Sequence, residues 1–239
     1  AMSLLQLQAD NAKITSGSIK LDGVELVGMT ESELRTVRWD GISIVFQGAM
    51  NAWNPVIKIR EQIREAIREH YPKKSKSENT KKISELFNMV GLDESIMDRY
   101  PHELSGGMKQ RAVIALALSC DPKVIIADEP TTALDVTTQH QIVKLLRRLV
   151  DKYSMSLLFI SHDLSVVFQL ADRIAVMQNG SIIEQNYSNQ LLKDAQNTYT
   201  KLLINSVPSF LGSQPKPSKT ESKIESAKQN ILSVSKVSK

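Results

Sequence analysis

Between Lys123 and Pro130 runs Val124-Ile125-Ile126-Ala127-Asp128-Glu129, four apolar residues without a polar interruption and then two adjacent carboxylates. A strand with one wet face alternates apolar with polar residues. An unbroken apolar run reads instead as a strand covered on both faces, as in a parallel sheet flanked by helices. Sheets of that kind bind ligands at the carboxyl ends of their strands, where Asp128 and Glu129 stand. One helix earlier, Leu104-Ser105-Gly106-Gly107-Met108-Lys109-Gln110-Arg111 places two glycines after a serine at a helix start. The first N–H groups of a helix have no intrahelical acceptor and carry the positive end of its dipole, so this turn suits an anion. Taken alone, Ser-Gly-Gly is usually just a loop entering a helix; an anion cradle and a carboxylate pair one helix apart form a stronger pattern.

Together the two segments resemble the ATP-binding cassette (ABC) ATPases. Leu104–Gln110 matches the family's LSGGxxQ signature, and Val124–Pro130 matches its Walker B strand with the catalytic glutamate, in the family's order and spacing. The resemblance implies an α/β fold: a P-loop NTPase-like ABC cassette with a mostly parallel sheet core and an inserted helical subdomain. Further matches follow in order. Gln47, after the apolar run Gly41–Phe46, resembles the Q-loop glutamine; Thr131–Asp135 resembles the D-loop; and His162, after Met155–Ile160, matches the switch histidine. Gly48-Ala49-Met50-Asn51-Ala52-Trp53-Asn54-Pro55-Val56 is similar to a stretch typical of the dipeptide, oligopeptide and nickel importer branch, with Trp53 in place of Leu. Trp53 is either a packing residue or an exposed contact for a membrane subunit. Asn197–Lys201 with Pro208 is similar to the end of the same branch, without the cysteine-bearing extension that would support an iron–sulfur role.

The remaining elements follow from pattern. Residues 17–27 alternate around Asp22-Gly23 and read as a hairpin, and Thr30 with Glu33 forms a capping box ahead of a helix. Ile59, Ile63 and Ile67, then Ile83, Leu86, Phe87 and Val90, put helices over 58–70 and 80–90, separated by a polar loop from Pro72 to Thr80. Lys73, Lys74 and Lys76 then belong to a solvated turn. His102 is assigned to local hydrogen bonding. A helix covers 106–119, and Thr137 or Thr138 is expected to cap the next one, which runs to Lys152. Asp172–Met177 and Ser181–Gln185 form a hairpin about Asn179-Gly180, and short helices cover 188–194 and 197–206.

Charge decides against one class of partner. The chain of 239 residues has a net charge of +4, and residues 212–239, with six lysines and two glutamates, carry all of that excess. The rest is balanced, so a nucleic-acid footprint has no compositional support. A DNA-repair or translation ATPase of the same superfamily would in addition interrupt the cassette with a coiled coil or zinc module, and only about 57 residues separate Gln47 from Leu104. No run of about 18 apolar residues occurs, and the single cysteine, Cys120, cannot form an internal disulfide; a reducing cytoplasm is the expected compartment.

No G-x-x-x-x-G-K-[S/T] occurs in the sequence. Ala1-Met2-Ser3-Leu4-Leu5 is expected to lie in the helix that follows that loop, so the cassette is expected to be N-terminally incomplete, its own ATP site empty or weak and its signature face intact. The organisation expected is a cassette over 1–211 with a helical subdomain over about 48–120, a flexible linker over 212–230, and a strand over 231–239 resembling the first strand of a second cassette; a frayed β-prone tail is the alternative.

The resemblance implies a mechanism. Asp128 and Gln47 hold Mg2+, Glu129 is the general base for water attacking ATP, and His162 contacts the γ-phosphate. Ser105, Gly106, Gly107 and Gln110 meet the nucleotide of an opposite cassette, with Asp135 bridging the two. The partners implied are a second cassette in a head-to-tail dimer, fused in tandem or separate; transmembrane permease subunits; and, indirectly, a solute-binding protein. The function implied is ATP hydrolysis for uptake of dipeptides, oligopeptides or a solute such as nickel, at the cytoplasmic face of the membrane. The alternative is a hydrolysis-deficient fragment that completes another subunit's site.

Overall fold

The computed structural model describes residues 1–9 and 11–207, and residues 232–238 for their backbone. The expected linker over 212–230 lies outside the described residues. By compactness the chain divides into two units, residues 1–160 with 229–239, and residues 161–228.

The first unit is built on a parallel sheet of β3 (Ile42–Val45), β4 (Val124–Asp128) and β5 (Ser156–Ile160), with β4 in the middle. The register sets Ile42 opposite Val124 and Val45 opposite Ala127, and on the other side Asp128 opposite Ile160. Val124, Ile125, Ile126 and Ala127 are all buried, so β4 is covered on both faces as its composition requires. Val124 and Ile126 share a core cluster with Ile42, Ile19, Leu21, Leu26, Leu4 and Leu5. Leu4 and Leu5 belong to a short 3-10 helix, Met2–Leu5, closed by Gln6 in the left-handed region.

A small antiparallel sheet joins the same cluster. β1 (Ser16–Leu21) pairs with β2 (Val24–Glu25), and Asp22 (φ 49°) with Gly23 (φ 81°) forms the two-residue turn whose double positive φ matches strand twist. The strand expected at 231–239 exists as β8 (Leu232–Ser238), and its partner is β1 of the same chain, antiparallel.

α1 (Glu31–Val37) starts on the expected capping box: Glu33 N–H bonds to Thr30 Oγ1 and Thr30 N–H donates to Glu33 Oε2 at 2.7 Å. Next come α2 (Ile59–His70), α3 (Lys76–Val90) and α4 (Gly106–Ala117). Ile59, Ile63 and Ile67 are wholly buried along one stripe of α2, and Ile83, Leu86, Phe87 and Val90 along α3. α3 begins at Lys76, inside the segment expected to be loop, because Ser75 and Glu78 form a second capping box. The carbonyls at its C-terminus are taken by two arginines: Arg111 donates to Val90 O and Arg148 to Met89 O, both at 2.7 Å. Trp53, at 7% exposed, packs in the chain's interior, as in the first of its two expected roles. His102 stacks on Tyr100, with ring centroids 5.6 Å apart. Cys120 is buried, which pushes its thiol up to about 11 and keeps it protonated at neutral pH.

α5 (Val136–Tyr153) is capped by Asp135, which accepts from Thr138 N–H at 2.9 Å, and not by Thr137 or Thr138. A carboxylate at the cap both accepts the N–H and meets the dipole, which a threonine cannot do.

The second unit contains α6 (Leu164–Leu170), the hairpin of β6 (Arg173–Gln178) and β7 (Ser181–Tyr187) turned at Asn179-Gly180, and two short helices, α7 (Ser188–Asp194) and α8 (Thr198–Asn205), the latter capped by Asn197. Among the described residues no helix is long and apolar enough to cross a membrane.

Candidate functional site

Strand order brings the first site residues together. β3 and β4 are neighbours in parallel register, so the residues just past their ends emerge on the same edge. Gln47, two residues beyond β3, donates from Nε2 to Oε2 of Glu129, one residue beyond β4, at 3.0 Å. The same Oε2 accepts from Thr132 Oγ1 at 2.9 Å, while Thr132 N–H donates to Glu129 O at 3.2 Å and closes a turn. Glu129 N–H in turn donates to Ile160 O at 2.9 Å, tying the residue to the end of β5. Its φ of 47° lies in the left-handed region, a conformation that costs a non-glycine residue about 1 kcal/mol or more and persists only where the surroundings hold it. Asp128, the last residue of β4, is half-buried at the same edge.

Thr132 is the residue that sequence pattern missed. The signal was a hydroxyl three residues after Glu129, but its use depends on the left-handed turn at Glu129, which no periodicity reveals.

The signature segment forms a second cluster. Ser105 caps α4 and its Oγ accepts from Met108 N–H at 3.3 Å. Ser105 and Gly106 are exposed and Gly107 is half-buried, and helix geometry leaves the N–H groups of Gly106 and Gly107 without an intrahelical acceptor. Gly107 is also required by packing: a Cβ there would lie 2.6 Å from Thr138 Cγ2. Thr138 cannot swing away at no cost, because its Oγ1 donates to Asp135 Oδ2 at 2.6 Å. The start of α4 thus rests on the start of α5, and Asp135, whose carboxyl is held below its ordinary value by the Thr138 bonds, is tied to the signature turn. Gln110 differs from the expectation of a nucleotide-facing side chain. It is 3% exposed and turned into the chain's own packing, since its place one turn into α4 falls on the buried stripe.

His162 opens the second unit, in the turn between β5 and α6. That turn is tight: Asp163 N–H donates to Ser161 Oγ at 3.0 Å, and Asp163 Oδ1 caps α6 by accepting from Ser165 N–H at 2.9 Å.

A parallel α/β sheet with Gln47, Asp128 and Glu129 at its C-terminal edge, and a serine-capped glycine turn one helix away, defines an α/β fold of the P-loop NTPase-like class. The family model described as "ABC transporter" matches residues 2–132, and the chain belongs to that family. It is similar to the oligopeptide transport ATP-binding protein AppD of Bacillus subtilis, with 44% identity over 87% of this chain and 64% of AppD. It is also similar to a putative peptide import ATP-binding protein of Brucella abortus, with 39% identity over 92% of this chain and 69% of that protein. The chain spans about three fifths of the length of the first curated relatives it matches. Among solved structures, the dimeric MJ0796, a bacterial ABC transporter cassette, superposes with a TM-score of 0.67 at 29% identity, covering 78% of each chain. The fold is therefore the ABC cassette fold, with a parallel sheet core.

Proposed function

We propose that the chain is an ATP-hydrolysing subunit of an ABC importer that energises uptake of dipeptides, oligopeptides or a similar solute such as nickel. The observation that carries this reading is the Gln47–Glu129 hydrogen bond, which pairs an amide with a carboxylate at the edge where parallel sheets bind ligands. The names of its relatives, oligopeptide and peptide import ATP-binding proteins, support the substrate class.

In this reading Glu129 accepts the proton of the attacking water. Gln47 and Thr132 hold its carboxylate in one orientation, so the base is aimed before substrate arrives. Magnesium is commonly held by one or two carboxylates together with phosphate oxygens, and the strand end fits it: Asp128 supplies a carboxylate and Gln47 an amide oxygen, since its Nε2 is committed to Glu129. A magnesium ion held by Asp128 and Gln47 would supply charge neutralisation to the phosphates of the nucleotide. His162 contacts the γ-phosphate. Ser105, Gly106 and Gly107 face the nucleotide of a second cassette in a head-to-tail pair, and Asp135 bridges the two.

Residues 1–211 form the cassette, with the helices of about 48–120 as its subdomain. It sits at the cytoplasmic face of the membrane on transmembrane permease subunits, and a solute-binding protein acts through them. The test is ATP turnover and peptide uptake by the assembled transporter carrying Ser105→Arg, which sets a bulky cation at the signature turn. Both activities fall to background if the reading holds. Unchanged turnover and uptake would contradict it.

A further inference from the structure

α3 ends in a pattern that leaves two carbonyls over. Gly91, at φ 69°, takes the chain out of the helix, and the N–H groups of Gly91 and Leu92 turn back to Asn88 O at 3.2 Å and Phe87 O at 2.9 Å. Met89 O and Val90 O receive no backbone donor from that closure. Arg148 of α5 supplies the first and Arg111 of α4 the second, each at 2.7 Å. One helix end is thus held by two other helices.

Arg111 does more than cap. Its other terminal nitrogen, Nη2, donates to Gln141 Oε1 on α5 at 3.2 Å, so one guanidinium joins α3, α4 and α5. Arg111 follows Gly107 by four residues on α4, and Gln141 follows Thr138 by three on α5. The bond therefore falls on the same side of both helices as the Gly107–Thr138 contact, one turn further along. Two contacts on one stripe fix the angle between α4 and α5 as well as their distance, which a single contact does not. The arrangement carries a cost. Among the described residues neither arginine is paired with a carboxylate, and burial, together with the nearby charge of Arg148, lowers the pKa of Arg111. Any cation can meet a helix C-terminus, whereas a planar fork can hold two acceptors on different helices in a set geometry. Gly91 keeps room for that fork, since a Cβ there would lie 3.3 Å from Arg111 Nη1.

We propose that Arg111 is the positioning residue of the signature turn: by bridging Val90 O and Gln141 it sets α4 against α5, and with them the Gly106 and Gly107 amides against Asp135. What the turn does rests on the proposed function; what Arg111 does rests on the helix geometry.

Two variants remove the same bond from opposite sides. Arg111→Lys keeps a cation at the end of α3 but cannot also span to Gln141, and Gln141→Met replaces the acceptor with a helix-forming residue of similar length. In the assembled transporter each lowers kcat by roughly three- to tenfold, the scale of one hydrogen bond. KM for ATP stays within about twofold of wild type, and the double variant is no slower than either single one. Ser75→Ala, which weakens α3 at its other end, leaves kcat unchanged. Additive losses in the double variant, unchanged turnover in either single one, or the same fall in Ser75→Ala would each overturn the proposal. A wild-type transporter without ATP turnover would defeat the functional reading instead, and amide exchange of the full chain, which needs no nucleotide, then decides this one. Met108 and Lys109, whose N–H groups bond to Ser105, exchange about threefold or more faster in both variants, while the β4 amides hold their protection. Unchanged exchange at those two amides would overturn it.

Discussion

Gln47 Nε2 lies 3.0 Å from Glu129 Oε2, joining two residues that are 82 positions apart in sequence but leave adjacent strands at the same edge. Thr132 Oγ1 donates to the same Oε2 at 2.9 Å, so one carboxylate oxygen of Glu129 accepts from two side-chain donors.

That geometry makes Gln47→Glu informative. Two carboxylates about 3 Å apart cannot both ionise easily, and the apparent pKa of the pair rises. The acid limb of the rate–pH profile of the assembled ATPase should move to higher pH, because the base stays protonated further up the scale. A profile with an unmoved acid limb and full turnover would show that Gln47 and Glu129 do not act as a pair.

The contact of Gly107 with Thr138 gives a paired test. Gly107→Ala brings a methyl to 2.6 Å from Thr138 Cγ2 and should displace the start of α4, lowering both thermal stability and turnover. Thr138→Ser removes that methyl and keeps the hydroxyl bonded to Asp135, so the double variant should recover much of the loss. If the double variant is no better than Gly107→Ala, the contact does not explain the glycine.

Ser75→Ala should cost about 1 kcal/mol in denaturant unfolding through loss of the α3 cap. Glu78, held below its ordinary pKa by hydrogen bonds from Ser75, adds stability that is present above the pKa of an unfolded glutamate and is lost as pH falls through its folded value. The difference in stability between wild type and Ser75→Ala should therefore narrow in acid. A gap that stays constant down to pH 3 would mean that Glu78 does not report on the cap.

Much of this was legible because it is local. Thr30 with Glu33, Asp22-Gly23 and Asn179-Gly180 announce their turns in two to four residues, and the apolar run at Val124 announces a buried strand. Ser75 with Glu78 carries the same capping signal, but Pro72 and three nearby lysines extended the loop reading across it. Asp135 was read for a role between subunits, which hid its local role as the cap of α5. Other features depend on contacts that pattern does not encode. Trp53 stands outside any apolar periodicity in sequence yet is buried by tertiary packing, Gln110 sits in a recognised motif yet faces inward, and Thr132 meets Glu129 only because that residue adopts a positive φ. The placement of β8 on β1 depends on a pairing across most of the chain.

In the proposed function Glu129, held by Gln47 and Thr132, is the base for water attack on ATP. It is tested most directly by Glu129→Gln in the assembled transporter, with hydrolysis and nucleotide binding measured on the same preparation. Steady-state hydrolysis should fall by about 10²–10⁴-fold while ATP binding remains at its wild-type level. Turnover within a few-fold of wild type, with binding intact, would contradict it.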